Sequence, residues 1–150
     1  MRGWLLDTNV VSELARPRAE PVVLDWLRSL PPDRTFLSIL TIAEIGQGIE
    51  ALRPDDARRE VYARFRARLE ADFAGRILPV GDGVVRLWGD ISGRYRAQFG
   101  GRAPVVDALL TATGLHHRLH LATRNLRDVV RLGASAFSPW DGDPVQFPLT

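Results

Sequence analysis

Gly3-Trp4-Leu5-Leu6-Asp7-Thr8-Asn9 reads as a short apolar strand running into three polar residues that can cap a following helix. Outward from it the same alternation repeats. Pro17 and Pro21 bracket a break, after which Val22, Val23, Trp26, Leu27 and Leu30 mark an amphipathic helix ended by Pro31-Pro32. Thr35 to Leu40 is predicted as a second strand, and Thr41 to about Leu52 as a helix. Pro54-Asp55 opens an arginine-rich helix reaching Phe73, with Val61, Phe65 and Leu69 on one face, and Arg76 to Val80 is a brief strand. Val84, Trp88, Ile91 and Tyr95 recur at the spacing of a core-facing helix, which Gly100-Gly101 closes. Pro104 starts a helix through Leu115, Leu119 to Thr123 is a strand, Asn125 to Arg131 a short helix, and Ala134 to Ser138 the last strand. The tail after Trp140 carries Pro144 and Pro148 and reads as irregular.

Short apolar strands alternating with helices imply an α/β fold: βαβ units, a parallel sheet and helices on both faces. The 150 residues fit a single domain, 1–150, that can bury about two-thirds of its unfolded surface. In such sheets, sites form beyond the carboxyl ends of the strands. Asp7, Glu44 and Asn125 or Asp128 follow predicted strand ends directly, whereas Asp107 must arrive on the first turn of its helix.

Composition narrows the chemistry. All 20 basic residues are arginine, so a P-loop lysine, a Schiff base and a phosphoryl-acceptor pocket with its lysine are excluded. Cysteine is absent, which removes disulfides and thiolate metal sites. The apolar run before Asp7 is too short for a signal peptide, and no later run could span a membrane, so the cytoplasm is the expected compartment. The net charge of +2 is modest, but gathering several of the 18 carboxylates in one pocket would leave a basic surface suited to a polyanion.

Each acid has a structural explanation. Asp7 can cap a helix, Thr41-x-x-Glu44 fits a capping box, Asp107 suits the dipole of a first helical turn, and Asn125-x-x-Asp128 is another capping pattern. Together they say more. Asp107 lies within Pro104-Val105-Val106-Asp107-Ala108-Leu109-Leu110 and Glu44 within Leu40-Thr41-Ile42-Ala43-Glu44-Ile45. Carboxylates on such apolar segments are costly to bury unless paired or bound to a cation. Without lysine, only arginine or a metal can neutralise them, and an all-oxygen cluster suits Mg²⁺ or Mn²⁺. Gly46-x-Gly48 falls inside a predicted helix and reads as close helix packing, and His116, His117 and His120 read as packing or surface residues.

With these residues assembled, the chain resembles the PIN-domain family, and within it the VapC-type toxins of type II toxin–antitoxin pairs, including the FitB-like branch. The stretches that carry the likeness are LLDTNVVSEL (5–14), LSILTIAEIGQGI (37–49), GRILPV (75–80), PVVDALLTATG (104–114), LATRNLRDV (121–129) and SPW (138–140). The resemblance implies a three-layer α/β/α sandwich around a central parallel sheet of about five strands. It implies an endoribonuclease in which Asp7, Glu44 and Asp107 hold Mg²⁺ or Mn²⁺ for hydrolysis of RNA. Members of the family carry their fourth acid where this chain has Asn125 or where it has Asp128.

In that reading Thr8, Asn9 and Thr123 position water or phosphate, and Arg124 grips a phosphate or simply faces solvent. The partners it implies are an RNA substrate, a cognate antitoxin and a second copy in a homodimer. The antitoxin would lie along apolar side chains drawn from Trp26, Leu27, Phe65 and Leu69, of which Leu27 and Leu69 are read as core. A structure-selective DNA nuclease and a non-catalytic binding module of the same fold remain as alternatives.

Overall fold

Every residue of β1 (Gly3–Leu6) is buried, because the strand has a neighbour on each edge and helices over each face. In the computed structural model, which describes residues 1–150, five parallel strands lie in the order β3-β2-β1-β4-β5. They are β1, β2 (Thr35–Ser38), β3 (Ile77–Leu78), β4 (Leu119–Ala122) and β5 (Ala136–Phe137). Between them run α1 (Thr8–Val11), α2 (Pro21–Ser29), α3 (Ile39–Glu50), α4 (Arg58–Asp72), α5 (Asp82–Phe99), α6 (Val105–His117) and α7 (Leu126–Arg131). No helix is long and apolar enough to cross a membrane.

Period-two alternation splits β1 between two cores. Trp4 and Leu6 join Val10, Val23, Trp26, Ile45 and Leu69 on the side of α1 to α4. Leu5 points the other way, into Leu110, Leu119, Leu121 and Val129 beneath α6 and α7. Each fully buried leucine contributes about 1.5–3 kcal/mol to the association of the layers. Trp4 and Trp26 meet edge to face at 5.2 Å between ring centres, which locks α2 to the sheet. Gly3 is required where β1 passes β2, since a Cβ there would stand 2.4 Å from the Arg34 carbonyl oxygen.

Several boundaries differ from the sequence reading. β2 stops at Ser38, whose hydroxyl accepts the Leu40 N–H and caps α3, so Thr41 lies inside the helix and forms no capping box. The α4 helix begins at Arg58, where the Asp56 carboxylate accepts the backbone N–H, and not at Pro54. Its predicted apolar face is narrower than expected: Leu69 is buried, Phe65 half-buried and Val61 exposed, because α4 touches the core along one line. Two arginines of this region brace backbone. Arg59 donates to the Ile49 and Leu52 carbonyls at 2.9 Å, and Arg76 to those of Pro32 and Thr35 at 2.6 and 2.7 Å.

Gly46 does sit close to Arg66, but Gly48 faces open space, so only one of the two glycines permits close packing. Of the histidines, His120 is buried, donating or accepting at Ser135 Oγ (2.7 Å) and stacking near Trp4. The irregular tail also has a place. Phe147 and Leu149 pack on the core, and the Thr150 N–H donates to the Met1 carbonyl.

Candidate active site

The chain builds β1, β2 and β3 outward in one direction and then returns to lay β4 on the other side of β1. The crevice of this reversal opens beyond the carboxyl ends of β1 and β4, where α/β sheets bind ligands. A cavity of about 420 Å³ occupies it, lined by Asp7, Thr8, Asn9, Glu44, Asp107 and Asn125 together with Ser12, Glu13, Arg16, Val106, Arg124 and Trp140.

Asp7 is 6% exposed and held from three sides. Its Oδ1 accepts the Thr8 N–H at 2.7 Å as the cap of α1, so the capping role and a place in the cavity coexist. Its Oδ2 accepts the Thr123 hydroxyl at 2.7 Å and the Asn9 amide at 3.2 Å. Thr123 ends β4 and Asp7 ends β1, so adjacent strands fix this bond. Asn9 also accepts the Arg124 N–H at 3.1 Å, tying the two loops together.

Glu44 comes from the second turn of α3. The Thr8 hydroxyl donates to its Oε1 at 2.8 Å, and the buried Thr41 hydroxyl lies 3.2 Å from that of Thr8. Because the Thr8 proton is engaged with Glu44, Thr41 must donate to Thr8, which completes a relay that orients Glu44. Asp107 enters on the first turn of α6, and its Oδ2 accepts the Asn125 amide at 2.9 Å.

Burial raises the carboxyl of Asp7 above its ordinary range, against the pull of its three hydrogen bonds. Burial likewise raises Glu44, with the charges of Asp7 and Asp107 adding to the shift and the Thr8 bond opposing it. Asp107 is raised by burial, then by Asp7 and Asp128, and lowered by Asn125. None of the three forms an ion pair. They stand around the cavity rather than forming a ready-made cluster of three ligating side chains. Three mutually repelling oxygen donors without an arginine partner are the chemistry that a hard divalent cation satisfies.

Asn125 and Asp128 part company. Asn125 precedes α7, makes no side-chain cap, and faces Asp107 across the cavity. Asp128, one turn into α7, is half-buried and absent from the cavity wall, and reaches Asp107 only through its charge. Arg124 sits at the rim with its guanidinium 5.0 Å from the centre of the Trp140 ring.

Glu13 escaped the sequence reading. It is 1% exposed on the cavity wall, where it accepts Arg16 Nη1 and the Glu20 N–H, each at 2.9 Å. The signal was present, since Val10-Val11-Ser12-Glu13-Leu14 is another apolar run with one acid. Arg16 is thereby held at the mouth of the cavity.

Residues 4–133 match the PIN domain family. Toxin FitB of Neisseria gonorrhoeae is 33% identical over 136 residues, which cover 91% of this chain and 97% of that protein. The VapC ribonuclease Y4jK of Sinorhizobium fredii is 30% identical over 141 residues, with 91% and 97% covered. Among solved structures, FitAB bound to an IR36 DNA fragment superposes with a TM-score of 0.83 at 31% identity, covering 93% of this chain and 97% of that one. With sheet order, acidic crevice and sequence in agreement over this span, the chain belongs to the PIN-domain family, among the FitB- and VapC-type toxins.

Proposed function

We propose that the protein is a Mg²⁺- or Mn²⁺-dependent endoribonuclease, the toxin of a toxin–antitoxin pair, working on RNA in the cytoplasm. The observation that carries the reading is the set of three carboxylates with no cationic partner, converging at the strand-order reversal. Asp7 and Asp107 would hold the cation, with Glu44 holding it or its waters. A bound divalent ion polarises water and offsets the negative charge that grows on phosphate during hydrolysis.

The chain's own residues do the rest. Thr123, Asn9 and the Thr8 N–H fix Asp7; the Thr41–Thr8 relay fixes Glu44; the Asn125 amide fixes Asp107. Arg16 and Arg124 stand at the rim, where forked guanidinium groups suit phosphates flanking the scissile one. End-labelled RNA and DNA of equal sequence test the reading. RNA cut internally with Mn²⁺ or Mg²⁺, but not in chelator, is the expected result, and preferential cutting of DNA would contradict it.

The likeness to FitB and VapC proteins supports an antitoxin partner, and we propose that the chain pairs as a homodimer. A cleft of about 220 Å³, lined by Ile45, Tyr62 and Phe65, shares Thr8, Ser12 and Arg16 with the acidic cavity. An antitoxin tail could set an apolar side chain there and a basic one among the carboxylates. Phe65 is available for this, and Leu27 lines a second groove, but Trp26 and Leu69 are buried in the core.

A further inference from the structure

On the opposite side of the α6 N-terminus from Asp107 lies a second cavity, of about 450 Å³, walled by Trp88, Ser92 and Arg96 of α5 and by Arg102 and Val105. It contains no carboxylate, and neither arginine forms an ion pair or hydrogen bond. The Trp88 indole N–H and the Ser92 hydroxyl are buried without a partner. A buried donor left unbonded is costly, so two beside one cavity call for an explanation. The α6 helix, 13 residues long, follows Pro104 with no side-chain cap, so its first N–H groups have no side-chain partner.

Every one of these features favours an anion. Arg96 alone has a structural explanation, since a cation in the last turn of α5 complements that helix end. That does not account for Arg102 or for the two orphaned donors. The position is informative as well. Val105 lines this cavity and Val106 the acidic one, consecutive residues about 3.8 Å apart at Cα. Both valines are exposed and form a low ridge between the cavities.

We propose that this second cavity holds a backbone phosphate of the same RNA strand whose neighbouring phosphodiester lies in the acidic cavity. The inference rests on the ribonuclease reading. Arg96 and Arg102 clasp the phosphate, beside the unpartnered donors of Trp88 and Ser92. The acidic cavity repels phosphate unless a cation is present, so this subsite supplies metal-independent grip and fixes the direction in which the strand crosses α6.

The test uses the full-length chain carrying Asp7→Asn, which removes a proposed cation-holding carboxylate, and a fluorescein-labelled RNA of about ten nucleotides in chelator. Anisotropy is followed across a salt series with and without Arg96→Gln and Arg102→Gln together. Because both guanidinium groups are exposed and bond nothing, the added pair should lower the melting temperature only slightly, through the lost complement of Arg96 to the end of α5. The expected result is at least about tenfold weaker binding, with the slope of log K against log salt reduced by about 0.7, the value for one phosphate no longer neutralised. Equal affinity and slope would overturn this inference and leave the ribonuclease reading standing. A change of sedimentation coefficient on adding the pair would mark the cavity as a contact between copies and overturn it too. Failure of the Asp7→Asn protein to bind any RNA would count against both readings.

Discussion

Asp107 shows how one side chain reports on the whole cavity. Burial and the charges of Asp7 and Asp128 make it take up a proton more readily in the folded chain than at its ordinary value of 3.8. The folded protein therefore binds more protons than the unfolded one as pH rises from 3.8, and stability falls across that window. In chelator at neutral pH, Asp107→Asn should melt above wild type, by about 2–4 °C for each 1 kcal/mol of relieved repulsion. The difference should close as pH approaches 3.8, and Mn²⁺ should raise wild type more than the variant. Equal Mn²⁺ shifts would remove Asp107 from any metal site. Asn125→Asp exchanges an amide for a further carboxylate beside Asp107, so calorimetry should find Mn²⁺ bound about tenfold more tightly, with a smaller change for Asp128→Asn. At this scale the gathering of Asp7, Glu44 and Asp107 on one cavity was legible, because a lone acid in an apolar run is costly to bury unpaired. The choice between Asn125 and Asp128 was not, because both satisfy a capping pattern and only the path of the chain into α7 separates them.

Helix starts decide where the site's side chains point. Ser38, completely buried at the end of β2, caps α3 and thereby sets the helical phase that brings Glu44 to Thr8. Ser38→Ala should cost about 1 kcal/mol in denaturant unfolding, the usual value of a lost cap. Thr41→Val removes no cap and keeps the side-chain shape. It should depress catalysis by breaking the relay to Glu44 more than it depresses stability. If Thr41→Val instead behaved as a cap deletion, with catalysis intact, the placement of the helix start would be wrong. The order of strands and helices was readable from apolar periodicity, since β1 and β4 are buried on both faces and α5 repeats at helical spacing. The ends were less so. Leu40 is apolar whether it closes a strand or opens a helix, and only the Ser38 hydroxyl bond decides between them.

For the whole molecule, the sheet order turns separate loops into one acidic crevice and leaves basic side chains around its rim. An inhibitor that inserts a cation into this crevice competes with metal, and the coupling must act equally in both directions. The complex with an antitoxin should therefore bind Mn²⁺ more weakly than the free toxin, as calorimetry on both would show. Equal affinities would mean that inhibition acts by covering the RNA path instead. The likeness spans nearly the full chain, which is why the fold could be inferred from ordered motifs. The proposed phosphate subsite was not legible in sequence, because Trp88 reads as a core residue and Ser92, Arg96 and Arg102 as surface residues until α5 and α6 are placed together. The most direct test of the central claim is internal cleavage of labelled RNA in Mn²⁺ by wild type, Asp7→Asn and Asp107→Asn, each shown to be folded by circular dichroism. Wild-type cleavage that is lost in chelator and reduced by at least about 1,000-fold in both variants is the expected result. Full activity in either folded variant would contradict it.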